Sequence, residues 1–211
     1  MKRSTGRVGV FGGTFDPIHL GHLRVARSVR ATLGLDRMLL VPAGQPWLKA
    51  GTPVSPVADR VEMVRLAIGR RKDLELSTIE AERPGPSYAV DTMEALAGQS
   101  PAGPELYFLL GGDALADIAR WKDPQLLIRL CRLAAFSRPG GSLPDVPALE
   151  AAVPGISQRV VLVEVPQVDV RATDIRRRAA QGRSIRGLVP RAVERYILDR
   201  GLYRHDAGRF G

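Results

Sequence analysis

Two histidines, His19 and His22, stand three residues apart in the string Gly12-Gly13-Thr14-Phe15-Asp16-Pro17-Ile18-His19-Leu20-Gly21-His22. Glycines let a backbone turn sharply and come close to a ligand, and the unpaired amides at a helix start favour a phosphate there. The same helix end disfavours a charged imidazolium, so both rings are expected neutral and donating hydrogen bonds. Further along, Val170-Arg171-Ala172-Thr173-Asp174-Ile175-Arg176 reads as a second helix start, with Thr173 as its cap and Arg176 in its first turn. Arginine is unfavourable against the helix dipole there unless an anion is bound nearby, and a triphosphate would supply that anion. Asp113 follows Gly111-Gly112 at the end of an apolar run, placed to accept hydrogen bonds from ribose hydroxyls or simply to cap a helix. This chemistry handles phosphate with donors and cations. No Ser/His/Asp set or carboxylate pair stands out beside it.

Other glycine-rich sites are excluded by spelling. A P-loop needs a Lys-Ser/Thr pair at the helix start, and a dinucleotide fingerprint needs G-x-G-x-x-G with an acidic residue closing the second strand. The second strand here ends Leu39-Leu40-Val41-Pro42. Outside the turn, Lys49 rides a proline- and glycine-rich loop, Ser87 stands ahead of Tyr88 and Ala89 as a helix cap, and Trp121 follows a short helix. The single cysteine, Cys131, lies in an apolar context that suits a buried, inert thiol.

Elements that could position these groups follow from hydrophobic periodicity. Val8–Phe11, Arg37–Val41, Leu74–Ile79, Leu106–Leu110, Leu133–Phe136 and Arg159–Val163 read as strands. Between most of them lie helical patterns such as Leu20, Leu23, Ala26, Val29 and Leu33, or Val57, Val61, Val64 and Ile68. The alternation predicts an α/β fold: a single Rossmann-like, doubly wound parallel sheet with helices on both faces. A domain over residues 1–204 is expected, with a helical basic segment at 171–204 and a disordered tail at 205–211. Hydrophobic content of 45% and charged content of 25% fit an ordinary soluble protein, and no run approaches a membrane span, so a cytoplasmic location is expected. Net charge is +9, and between Arg171 and Arg204 ten arginines face three acids. That excess suits a polyanion, either nucleotide phosphates or nucleic acid, or a merely solvated face.

The string G-G-T-F-D-P-x-H-x-G-H resembles the signature of the nucleotidyltransferase superfamily, and Thr173-Asp174-Ile175-Arg176 is similar to its second half. With Gln45-Pro46-Trp47-Leu48-Lys49, Pro86 through Thr92, Gly111-Gly112-Asp113, Trp121 and Ser137-Arg138-Pro139, the likeness narrows to bacterial nicotinate-nucleotide adenylyltransferases and runs from about Val8 to about Tyr203. That resemblance implies adenylyl transfer from ATP to nicotinate mononucleotide, with His19 and His22 on the reacting phosphates. It implies an ATP site of Gly12, Gly13, Thr14, Phe15, Gly111, Asp113, Thr173 and Arg176, the last two on the β- and γ-phosphates. For the mononucleotide it implies Lys49, Ser87, Tyr88, Ala89, Trp121 and Arg138. Mg²⁺ is expected with ATP, held by phosphate oxygens and water since the sequence offers no dedicated carboxylate cage. No nucleic-acid or membrane partner is implied, and homo-oligomers are left open. Three residues depart from the family pattern: Arg171 and Ala172 replace two serines, and Ala89 replaces a threonine. The rival readings are another adenylyltransferase, acting on nicotinamide mononucleotide or phosphopantetheine, and a basic nucleic-acid-binding module.

Overall fold

A computed structural model describes residues 6–47, 53–98, 103–137, 144–166 and 169–204. Six parallel strands form one sheet: β1 (Arg7–Gly13), β2 (Arg37–Pro42), β3 (Leu74–Leu76), β4 (Glu105–Gly111), β5 (Arg132–Phe136) and β6 (Val160–Val163), in the order β3-β2-β1-β4-β5-β6. Eight α-helices accompany them among the described residues: α1 (Leu20–Leu33), α2 (Val57–Ile68), α3 (Ala89–Ala97), α4 (Gly112–Ala116), α5 (Pro124–Leu130), α6 (Val146–Leu149), α7 (Ala172–Ala180) and α8 (Arg191–Asp199). The doubly wound α/β architecture read from the sequence is the one observed.

Strand alternation sorts side chains into two cores. Phe11, Met38, Leu40, Tyr107 and Leu109 face the side packed by α1, α2, α7 and α8. Val8, Val10, Leu39, Val41, Leu106, Phe108 and Leu110 face the side packed by α3, α4 and α5. Strands buried on both faces therefore read as unbroken apolar runs, as in β4. At Gly9 the bare backbone of β1 lets the Met38 and Leu35 side chains close in; a Cβ there would stand 2.6 Å from the Met38 side chain and 2.8 Å from Leu35, and both ends would have to shift.

The strand order reverses between β1 and β4, which lie side by side while their onward connections run to opposite edges. That reversal opens a crevice at the carboxyl ends of the two strands. Gly12 and Gly13 close β1 there, and Asp113 lies two residues past the end of β4, in the first turn of α4. One strand is shorter than periodicity suggests. β3 stops at Leu76, and after Ser77 N–H bonds the Leu40 carbonyl the chain turns away from the sheet edge.

Candidate active site

The turn after β1 brings the histidines together as a reciprocal cap. His19 is the N-cap of α1; its Nδ1 accepts from His22 N–H at 3.4 Å, and His22 Nδ1 accepts from His19 N–H at 3.3 Å. This is a capping box in which imidazoles replace the usual hydroxyl and carboxylate. The rings stack, centroids 3.6 Å apart, while Phe15 meets His22 edge-on at 5.1 Å and Phe11 at 6.0 Å. Because both Nδ1 atoms accept from backbone, each ring carries its proton on Nε2, which is a neutral donor form.

These rings line a cleft of about 700 Å³, of a size that holds a nucleotide. Its wall also includes Gly12, Gly13, Thr14, Phe15, Asp113, Thr173 and Arg176, so most of the residues expected to hold a triphosphate converge on one space. Gly111 ends β4 one residue before α4 and is buried off the wall. Thr173 is not the cap of α7. The helix begins at Ala172 behind an extended Arg171, which places Thr173 inside its first turn, and no side chain caps that end. Arg176 is buried and its Nη1 donates to the Asp16 carbonyl at 2.7 Å, tying α7 to the histidine turn. Arg171, one of the departures from the family pattern, lies on the same wall.

Ser87, Tyr88, Ala89 and Trp121 gather elsewhere, against the core on the other face of the sheet. Trp47 packs at 5.8 Å from Tyr88 and 6.4 Å from Trp121, and Phe108 meets Trp121 edge-on at 5.9 Å. The indole Nε1 of Trp121 is buried with no hydrogen-bond partner among the described residues. Ser87 does not cap α3; the N-cap is Tyr88, in extended backbone without a side-chain bond. The Ser87 hydroxyl oxygen instead accepts from Gly44 N–H at 2.9 Å and Gln45 N–H at 3.2 Å, fastening the loop after β2. Lys49 and Arg138 lie outside the described residues.

Residues 10–178 match the model of the cytidylyltransferase-like family. A probable nicotinate-nucleotide adenylyltransferase of Roseiflexus sp. (strain RS-1) is 46% identical over 201 residues, 95% of this chain and 100% of the relative. A probable nicotinate-nucleotide adenylyltransferase of Thermus thermophilus is 45% identical, covering 94% of this chain and 100% of its own. The chain belongs to the nicotinate-nucleotide adenylyltransferase family. A solved Plasmodium falciparum nicotinic acid mononucleotide adenylyltransferase, complexed with NaAD, shares the fold at a TM-score of 0.76 and 18% identity, over 94% of this chain and 98% of that one.

In this adenylyltransferase, side chains that the sequence did not single out hold the site in place. Arg60 of α2 is only 2% exposed and donates to the carbonyls of Ser55 (2.9 Å), Thr14 (3.0 Å), Ala43 (2.5 Å) and Gly44 (3.1 Å). It joins the histidine turn to the loop after β2. Glu80, also buried, accepts from the Thr92 hydroxyl at 2.7 Å, and burial pushes its carboxyl above the usual range despite hydrogen bonds from Thr92 and Ser87. Among the described residues no three His, Cys, Asp or Glu side chains stand close enough to hold a metal ion.

Proposed function

We propose that the protein transfers the adenylyl group of ATP to nicotinate mononucleotide, forming nicotinic acid adenine dinucleotide and pyrophosphate. The observation that carries this reading is the stacked, mutually capped His19–His22 pair on the wall of a cleft that Thr173 and Arg176 also line. The family names of its relatives point the same way.

The chemistry needs little else. A phosphate monoester has its second pKa near ~6, so the mononucleotide phosphate is already a dianionic nucleophile and no general base is required. One of its oxygens attacks the α-phosphorus in line, the bond from that phosphorus to the α,β-bridging oxygen breaks, and pyrophosphate leaves with the electron pair. Imidazole N–H donors from His19 and His22 meet the charge that builds on the reacting phosphates. In this scheme Thr173 and Arg176 hold the β- and γ-phosphates, Asp113 accepts from the adenosine ribose, and the glycine turn lets backbone approach the α-phosphate. Mg²⁺ bound to the triphosphate's own oxygens would neutralise part of its charge.

On the other face, the cluster of Trp47, Tyr88 and Trp121 offers stacking surface for a pyridine ring, and the uncapped start of α3 offers amides for its carboxylate. Ala89 brings no hydroxyl, so recognition of the acid rests on backbone donors. Lys49 and Arg138 remain assigned to the mononucleotide phosphate on sequence grounds. The whole of residues 1–204 is read as one such transferase unit, supported by the packing of α7 and α8 in the same core as α1.

The test is a coupled pyrophosphate-release assay with ATP, Mg²⁺ and either mononucleotide. Nicotinate mononucleotide should be preferred over the nicotinamide form by at least ~10²-fold in kcat/KM, equivalent to about 2.7 kcal/mol. Equal use of the two would place the enzyme outside the nicotinate branch, and no pyrophosphate with either would refute the transferase reading.

A further inference from the structure

The last described turn of the chain reaches back to the histidine turn. Tyr203 is buried and its hydroxyl donates to Asp16 Oδ1 at 2.8 Å across 187 residues of sequence. Asp16 is itself buried, takes Ser55 N–H on Oδ2 at 3.1 Å, and offers its carbonyl to Arg176 at 2.7 Å. Burial, then the charge of Asp16, push the Tyr203 phenol well above its ordinary pKa, so it stays the donor at any working pH. Asp16 is three residues before His19 and directly follows Phe15.

Backbone conformation says why this pinning matters. Phe15 has φ 49 and Tyr203 has φ 70, both in the left-handed region that non-glycine residues seldom adopt. Such conformations persist only where the surroundings over-determine them, and they cluster at working sites. Here the two meet through one carboxylate. Phe15 in turn sets the edge against which the His22 ring rests.

We propose that Tyr203 is a positioning residue for the reaction: its hydroxyl, acting through the Asp16 carboxylate, fixes the turn that presents His19 and His22 to the reacting phosphates. The inference rests on the adenylyl-transfer reading above. It makes the C-terminal segment a support for the catalytic turn, acting through Asp16. A built-in comparison exists, because Tyr196 donates in the same way to Asp59 Oδ1 at 2.7 Å, joining α8 to α2 away from the turn.

The experiment compares Tyr203→Phe with Tyr196→Phe in the full chain. Tyr203→Phe should lower kcat about tenfold while KM for ATP stays within about threefold, since a turn slightly out of place costs rate more than binding. Tyr196→Phe should leave kcat within about twofold, although either change should lower Tm by a few degrees, ~2–4 °C per kcal/mol in a chain this long. Independently of turnover, the imidazole NMR signals of His19 and His22, two of only three histidines, should move in Tyr203→Phe and stay put in Tyr196→Phe. Unchanged kcat with unmoved imidazole signals in Tyr203→Phe would overturn the positioning role. Inactive wild-type protein would instead remove the functional reading, and the imidazole signals alone would then decide whether Tyr203 sets the turn. If Tyr203→Phe does not fold, Tyr203→Leu removes the same donor and should move the same imidazole signals, and unmoved signals there would equally overturn the role.

Discussion

His19 and His22 cap each other: each Nδ1 accepts the other residue's backbone N–H while the rings stack at 3.6 Å. One arrangement thus starts α1 and sets the tautomer in which both rings donate through Nε2. Structural and chemical roles are superposed on the same atoms, and mutation can separate them.

Replacing either histidine by Ala should lower kcat by at least ~10²-fold, the range for one lost transition-state donor. Loss of the cap alone should cost only about 0.5–2 kcal/mol of stability. His19→Asn, which keeps a capping side chain, should recover the stability but not the turnover; urea unfolding beside steady-state kinetics reads both. Near-normal turnover in the Ala variants would leave the pair a cap and nothing more.

Arg60 should prove one of the residues on which folding depends most. Arg60→Met keeps length but strips the donors from four carbonyl contacts, and the loss should be about 3–5 kcal/mol in urea unfolding. Arg60→Lys, with one compact ammonium in place of a planar fork, should recover only part of it. A loss below ~1 kcal/mol in Arg60→Met would show that water replaces the guanidinium without penalty.

Glu80 makes stability pH-dependent in a defined direction. Its folded-state pKa is raised by burial, so its contribution is fully present below the unfolded value of about 4.5 and is lost as pH rises through the folded one. Glu80→Gln has no such titration. Its unfolding free energy minus that of wild type should therefore rise between pH 4.5 and pH 7, and a difference that falls or stays constant would contradict the burial argument.

Cys131 should be silent in the native protein. It is buried, its Sγ–H lies 3.3 Å from the Leu127 carbonyl, and burial pushes the thiol up to about 12. At pH 8 its thiolate fraction is then on the order of one in ten thousand, and labelling by an aromatic disulfide reagent should follow global unfolding only. Fast, stoichiometric labelling of folded protein would sink this.

What the sequence disclosed was local. Six strands and the histidine turn were legible because their signals lie within a dozen residues: two-sided apolar runs, a glycine pair, a helical apolar stripe. The helix caps misled where backbone rather than side-chain chemistry set the start, as at Thr173 and Ser87. Arg176 was read as a cation awaiting an anion, yet its Nη1 also donates to Asp16, 160 residues away. Arg60 was hidden for the same reason. An arginine in a helix with Val57, Val61, Val64 and Ile68 looks like its solvent side, and only tertiary contact turns it inward onto Thr14 and Ala43. The Asp16–Tyr203 bond spans 187 residues and has no local signature at all.

Gly12 sits at the rim where the two cores meet, between the histidine cleft on one face and the tryptophan cluster on the other, and a Cβ there would stand 3.5 Å from the Phe108 ring. That is ordinary van der Waals contact, so the protein interior leaves room for a methyl group at Gly12, and on the adenylyl-transfer reading only the nucleotide side of the cleft calls for bare backbone there.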